Sequence, residues 1–254
     1  QDIMPAENVT VVLSEKGWVK AAKGHEIDSS ALNYKSGDAF LKDAKGRSNK
    51  MAFFIDSSGR SYTLLANSLP SARGQGEPLT GRLTPPIGAE FIDVVMGDDE
   101  QLVILSSDAG YGFISTLGDL QSKTKSGKHA ITLSKEAKTM RLTKVQNLES
   151  DYLAVITNRA RLLIFQVSEL PHLSKGKGNK LINIKTDDFV AKEEFLIGLC
   201  IIKENQKLRV EYGNGKKHKQ YSFSDLVNFT SHRARKGLTV PGVHGKALGI
   251  DAID

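Results

Sequence analysis

Four segments of the chain share one plan: a short β-branched run, a tight turn, and a second run. They are VTVVLSEKGWV (9–19), MAFFIDSSGRSYTLL (51–65), QLVILSSDAGYGFI (101–114) and DYLAVITNRARLLIF (151–165). Alternating apolar residues broken by turn residues read as β-hairpins. Aligning the turns places Gly17, Gly59, Gly110 and Ala160 at steps of 42, 51 and 50 residues. The later hairpins end in the related strings NSLP, GDLQ and SELP, with Leu69, Leu120 and Leu170 at steps of 51 and 50, and SDLV with Leu226 follows 56 residues on, after LRVEYGNGKKHKQYSF. A unit of this length cannot bury both faces alone and must stack on its neighbours. No long capped amphipathic helix interrupts the pattern. The expected fold is therefore all-β: one repeat domain over residues 1–254, a propeller-like disc of about five four-stranded blades, open or closed between its first and last blade. The units run roughly 8–48, 49–98, 99–148, 149–198 and 199–250.

Each of these four leucines is followed by a loop rich in glycine and positive charge, PSARGQGEPL, QSKTKSGKHAI, PHLSKGKGNKLI and VNFTSHRARKGLTV, whereas the first hairpin runs into WVKAAKGHEIDSSALNYKSGD. A glycine falls seven residues after Leu69 (Gly76) and Leu120 (Gly127), and eight after Leu170 (Gly178). Glycine lets backbone N–H groups approach an anion, and neighbouring lysine or arginine adds charge. One such loop is an ordinary solvated turn, whereas several at equivalent positions form a track suited to a phosphodiester backbone. The candidate DNA-contacting residues are Lys20 and Lys23 in the first unit and Arg73 and Arg82 in the second. The third contributes Lys123, Lys125 and Lys128, the fourth Lys175, Lys177 and Lys180, and the last Arg233, Arg235 and Lys236. Lys216, Lys217 and Lys219 read as a charged hairpin tip.

The net charge of +6, from 35 basic and 29 acidic residues, is too modest for a polycationic tail, so its placement matters more than its sum. Acidic residues gather in EFIDVVMGDDE (90–100) and TDDFVAKEE (186–194), which leaves the loops basic. The vocabulary of the loops is that of phosphate contact rather than base readout, so duplex binding with weak sequence specificity is expected.

Enzymatic readings fail on the residues. There is no P-loop, no G-x-S-x-G, and GQGEPLTG lacks the third glycine of a dinucleotide fingerprint. The six histidines are scattered, with no H-x-x-x-H pair, and the single cysteine, Cys200, reads as a core thiol in a reducing compartment. Asp98, Asp99 and Glu100 read as a solvated acidic turn. Trp18 and Tyr111, each directly after a turn glycine, read as packing aromatics. No apolar run approaches the ~18 residues of a spanning helix. The opening QDIMPAENV has no initiator methionine and reads as a piece of a longer polypeptide.

The strings GWVKAAKGHEID, LNYKSGDAF, GRSYTL, LPSARGQGEPLTGRL, SDAGYGF and ELPHLSKGKGNKLINI closely resemble the C-terminal domains of bacterial topoisomerase IV A subunits of the proteobacterial type. The resemblance covers essentially the whole chain and weakens after about Asp187. It is similar in architecture to the C-terminal domain of the DNA gyrase A protein, the β-pinwheel, whose blades exchange strands. The resemblance implies a non-catalytic module that binds duplex DNA on a basic outer rim and captures or orients the transported segment during decatenation and relaxation. The family's DNA-cleaving tyrosine lies in a region absent here, so none of the tyrosines is read as that nucleophile. The Q-R-R-G-G-K-G box of gyrase is replaced by SSALNYKSGD, which argues against gyrase-type wrapping.

For the parent, the resemblance implies an A2B2 heterotetramer with the B subunit of topoisomerase IV, and the use of Mg2+ and ATP through other domains. It also implies a cytoplasmic, nucleoid-associated location, with contact at the inner face of the membrane as one option. The fragment itself is expected to need no cofactor and to be monomeric. An interaction propeller that docks a condensin-like chromosome-organising protein is the alternative from another class.

Overall fold

The structure is a computed structural model that describes residues 5–254. The four hairpins close on one turn geometry. The N–H of Gly17, Gly59, Gly110 and Ala160 donates to the carbonyl of Ser14, Asp56, Ser107 and Thr157 at 3.0, 3.2, 3.0 and 2.9 Å. This residue leaves the turn with φ of 82°, 93° and 91° at the three glycines and 62° at Ala160. A left-handed exit residue lets the strands leave with their natural twist, which explains why glycine recurs at this spacing. The polar residue opening the turn also holds its far side. Ser14 Oγ and Asp56 Oδ1 accept from the N–H of Trp18 and Arg60 at 2.9 and 3.0 Å.

The hairpins build five antiparallel sheets, four with four strands and the last with three among the described residues. The first sheet runs in the order Phe40–Arg47, Asn8–Ser14, Trp18–Lys23, Glu77–Pro78. The second runs Lys128–His129, Arg60–Leu65, Met51–Asp56, Phe91–Met96. The third runs Thr143–Lys144, Leu102–Ser106, Tyr111–Thr116, Asn179–Lys180, and the fourth Leu196–Ile202, Tyr152–Thr157, Arg161–Gln166, Leu238–Thr239. The fifth comprises Lys217–Ser222, Lys207–Tyr212 and Ala247–Ile253.

Each of the first four sheets thus takes its fourth strand, two residues long, from the loop that follows the next hairpin. The repeated leucines end the hairpins in short turns of helix and are buried, with Leu120 and Leu226 fully so. The α-helices are the short Leu117–Leu120 and Thr186–Val190.

The chain divides into two compact units, the first holding sheets one and two and the second holding sheets three to five. Within the first, Val11 and Leu13 of sheet one pack on Ala52, Phe54 and Tyr62 of sheet two. Within the second, one core joins Ile104 and Ile114 to Val155, Leu163 and Phe165. Another joins Ala154, Ile156, Leu162 and Ile164 to Leu208 and Val210. Truncating a buried leucine such as Leu163 in these layers would cost about 2–5 kcal/mol.

Sheets one and five each place polar residues at positions that other sheets fill with apolar ones. Three residues after each turn glycine lie Tyr62 and Phe113, both 0% exposed, and Leu163 follows Ala160 likewise at 1%; sheet one places Lys20 there, at 2%. The loop that follows the first hairpin covers that face of sheet one. Thr10 Oγ1 donates to Gly24 O at 2.7 Å, and the Lys20 ammonium donates to Asn33 O. The positions held by Ala154, Ile156, Leu162 and Ile164 in sheet four become Arg209, Glu211, His218 and Gln220 in sheet five. That face of sheet five is polar.

Candidate nucleic-acid interface

The basic loops are held in place by their glycines. Gly76, Gly127, Gly178 and Gly237 each stand immediately before a lent strand, with φ of 88°, 75°, 81° and 73°. A Cβ added at these glycines would lie 2.4 Å from Val19 O, 2.7 Å from Ser61 O, 2.1 Å from Gly112 O and 2.6 Å from Leu162 O. These glycines therefore bring the loop backbone against a strand of the preceding sheet. Their close approach is thus to a carbonyl of the protein itself. What the loops offer a ligand is their side chains.

Those side chains fall into two groups. Lys23, Arg73, Lys123, Lys125, Lys175, Lys177, Arg235 and Lys236 are exposed. None of the eight charged heads has an ion-pair partner among the described residues. Lys177 alone makes a ring contact, its ammonium 4.1 Å from the centre of Tyr111.

The other five expected contacts are committed within the fold. Lys20 donates to Asn33 O and, at 3.3 Å, to Gly74 O, and lies 4.4 Å from the centre of the Tyr34 ring. Burial pulls its ammonium below the usual lysine range, against the attraction of Asp38. Its expected role as a surface cation is therefore corrected: it ties the first and second loops together. Arg82 pairs through Nε with Glu77 at 2.6 Å and through Nη1 with Ser68 Oγ at 2.9 Å. Lys128 donates to Asp119 O, Lys180 to Asn183 Oδ1 at 3.2 Å, and Arg233 Nη1 to Lys180 O at 3.0 Å.

Sequence reasoning missed the residues that clamp the loops. The position directly after each turn residue is Trp18, Arg60, Tyr111 or Arg161. Arg60 donates from Nε to Ser126 O at 2.8 Å and from Nη2 to Gly127 O at 3.1 Å. Arg161 donates from Nη1 to Lys236 O and from Nη2 to Asn183 O at 2.9 Å. In the other two units an aromatic stands there with a lysine over its face, Lys177 over Tyr111 and Lys35 over Trp18, the latter at 5.2 Å. The signal is present in the repeat alignment as a column of long residues beside the turn, of which only the two aromatics stand out by type.

Arg161 is itself held by Glu194, which accepts from Nε at 2.8 Å and from Nη2 at 2.5 Å and also accepts from Thr157 Oγ1 at 2.9 Å. Burial pushes the Glu194 carboxyl up, but the hydrogen bonds from Arg161 and Thr157 outweigh it and hold the group below its ordinary value. Nearby, Arg159 reaches Glu193 at 3.3 Å and Asp188 at 3.7 Å. The acidic stretch 186–194 is thus paired with arginines of the fourth turn. Cys200 is half-buried on the strand Leu196–Ile202, and burial pushes its thiol up to about 12.

Comparison with known proteins places this architecture. The family described as DNA gyrase C-terminal domain, beta-propeller, matches residues 101–145 and 151–192. The A subunit of DNA topoisomerase 4 from Pseudomonas aeruginosa is 49% identical over 240 residues, 94% of this chain and 32% of the relative. The Escherichia coli K12 protein of the same name is 45% identical over 242 residues, 95% of the chain and 32% of the relative. The chain therefore spans about a third of the length of these curated relatives. The solved E. coli ParC C-terminal domain superposes with a TM-score of 0.86 at 43% identity, covering 97% of this chain and 98% of that one. A DNA gyrase A C-terminal domain, at 15% identity and a TM-score of 0.70 over 98% of this chain and 83% of that one, shares the fold. The chain belongs to this family, as a C-terminal β-pinwheel domain of the kind carried by topoisomerase IV A subunits.

Proposed function

We propose that this domain binds duplex DNA through sequence-independent phosphate contacts. In a type IIA topoisomerase it would capture or orient the transported segment for decatenation and relaxation, without itself carrying catalytic groups. The observation that carries the reading is the set of eight exposed, unpaired cations delivered by loops of both units. Four come from the first unit (Lys23, Arg73, Lys123, Lys125) and four from the second (Lys175, Lys177, Arg235, Lys236). The proposal for the whole protein is an A2B2 assembly with the B subunit of topoisomerase IV, with Mg2+ and ATP bound elsewhere. Among the described residues no group of three or more His, Cys, Asp or Glu side chains is arranged to hold a metal, so no step is assigned to one here.

If ~4–6 phosphates are neutralised, the logarithm of the duplex association constant should fall against log salt with a slope of about −4 to −5. Fluorescence titrations of a mixed-sequence duplex from about 50 to about 300 mM salt, where counterion release governs affinity, measure this. An affinity indifferent to salt would sink the phosphate reading.

A further inference from the structure

Four residues after each turn residue, the second strand of a hairpin carries Ala21, Thr63, Ile114 or Ile164. Three of these four hold the following loop by the same parallel bridge. Ala21 pairs with Ser71, Ile114 with His172 and Ile164 with Thr230. In the first of these the Ala21 N–H donates to Pro70 O at 2.8 Å and Ala21 O accepts from the Ala72 N–H at 3.0 Å. The third hairpin repeats the pair, with Ile114 donating to Pro171 O at 2.8 Å and accepting from Leu173 N–H at 2.9 Å.

Thr63 departs from this plan. No bridge joins it to the loop among the described residues; instead its side-chain Oγ1 accepts from the Ser122 N–H at 3.0 Å. A hydroxyl spaces the loop further from the strand than a backbone bond does. A groove of about 290 Å³ opens where the bridge is missing, lined by Thr63, Ser122, Thr124, Lys123, Lys125 and Arg82 among others. No acidic residue lines it, and the Lys123 and Lys125 ammonium groups are unpaired. Thr63 faces Phe53 across its hairpin as Ala21 faces Val11 across the first, so antiparallel alternation turns its N–H outward as it does that of Ala21. An outward N–H, two ammonium groups and hydroxyls around one opening are a donor set for a tetrahedral oxyanion.

We propose that this groove seats one phosphate of the DNA backbone, with the Thr63 N–H and the Lys123 and Lys125 ammonium groups as its donors. The missing bridge makes the room, and the Thr63 carbonyl is left to water. The assignment rests on the duplex-binding reading but says more: one phosphate is held by backbone in a built site, where the other free cations reach phosphate only through flexible side chains.

The test uses the whole chain, 15N-labelled, titrated separately with a mixed-sequence duplex and with inorganic phosphate, following the amide of residue 63. Both ligands should shift that amide downfield, and sodium chloride at equal ionic strength should not. Thr63→Val removes the hydroxyl and gives this position the apolar character of its three counterparts, so the bridge should form and the groove close. The variant should remain folded, its residue 63 amide should stop responding, and its duplex affinity should fall about tenfold. Duplex binding that leaves the Thr63 amide unmoved overturns the seat while the duplex reading stands. A shift with inorganic phosphate in a protein that binds no duplex at low salt upholds an oxyanion seat but overturns the DNA reading and with it the DNA source of the phosphate. No shift with either ligand overturns the seat.

Discussion

At the scale of single residues, the same residue type does opposite work at neighbouring positions. Lys20 and Lys23 stand three residues apart on one strand, Trp18–Lys23, yet strand alternation buries the first and exposes the second. Lys20→Met keeps the stem and removes the ammonium, leaving the Asn33 and Gly74 carbonyls without their donor. It should lower stability by about 1–3 kcal/mol in urea unfolding and leave the salt slope for duplex DNA unchanged. Lys23→Met should do the reverse, leaving stability alone and making the slope shallower by about 0.9.

Glu194 offers a pH test at the same scale. Its folded pKa lies below the ordinary 4.5, so its contribution to stability is complete above that value and is lost as pH falls through the folded pKa. Glu194→Gln should destabilise the protein by about 3 kcal/mol at pH 7 by leaving Arg161 without its countercharge, and should flatten the stability profile below pH ~4.5. Equilibrium unfolding from about pH 3 to about pH 7, across the carboxylate range, measures both effects. An identical pH profile in the two proteins would remove Glu194 from this role.

At the scale of elements, the lent strand is the device that sets this fold apart from a row of independent hairpins. Each lent strand is only two residues long, so its pairing depends on the glycine before it and the clamp beside it. Gly178→Ala would place a methyl 2.1 Å from Gly112 O in a left-handed backbone. The strand Asn179–Lys180 should detach, with a loss of at least about 2 kcal/mol and faster hydrogen exchange at Asn179, Lys180 and Leu181. The turn residues test the opposite sign. Ala160 is the one of the four that is not glycine and sits at φ 62°, so Ala160→Gly should stabilise the fourth hairpin by about 0.5–1 kcal/mol. A loss of stability on that change would show that the Ala160 methyl contributes more by packing than the backbone loses by strain. The hairpins, their turn residues and the repeat were legible in the sequence because each depends on local chemistry. The lent strands were not, because EP, KH, NK and LT have no side-chain type common to all four; only the glycine before them recurs.

At the scale of the whole molecule, the eight exposed candidate cations divide evenly between the two units. Replacing Lys175 and Lys177 by glutamate should weaken duplex binding and make the salt slope shallower by about two, with a stability loss of only about 0.5–1 kcal/mol, since neither has an ion-pair partner among the described residues and only Lys177 makes a ring contact, with Tyr111. Titration of the double variant beside the parent protein measures both. Adding Lys180→Glu should lower stability further, because that ammonium bonds Asn183 Oδ1. Of the thirteen basic residues read from the sequence as DNA contacts, the five committed within the fold could not be told from the other eight by composition or position in a loop. Several of their partners, such as Asn33 O for Lys20 and Asp119 O for Lys128, are main-chain carbonyls brought near by folding.

The sequence by itself determined the all-β class, the hairpin repeat, the basic loops and the family, since these follow from hydrophobic alternation, turn chemistry and motifs written in consecutive residues. Only the tertiary structure decided which loop residues are free. It also decided that each of these glycines approaches a carbonyl, that one face of sheet one is covered by its own loop, and that Thr63 leaves a gap. The glycine contacts and the loop bridges depend on which main-chain groups meet across about 50 to 75 residues of chain, roughly the span over which one unit reaches into the next. A backbone carbonyl carries no sequence signature.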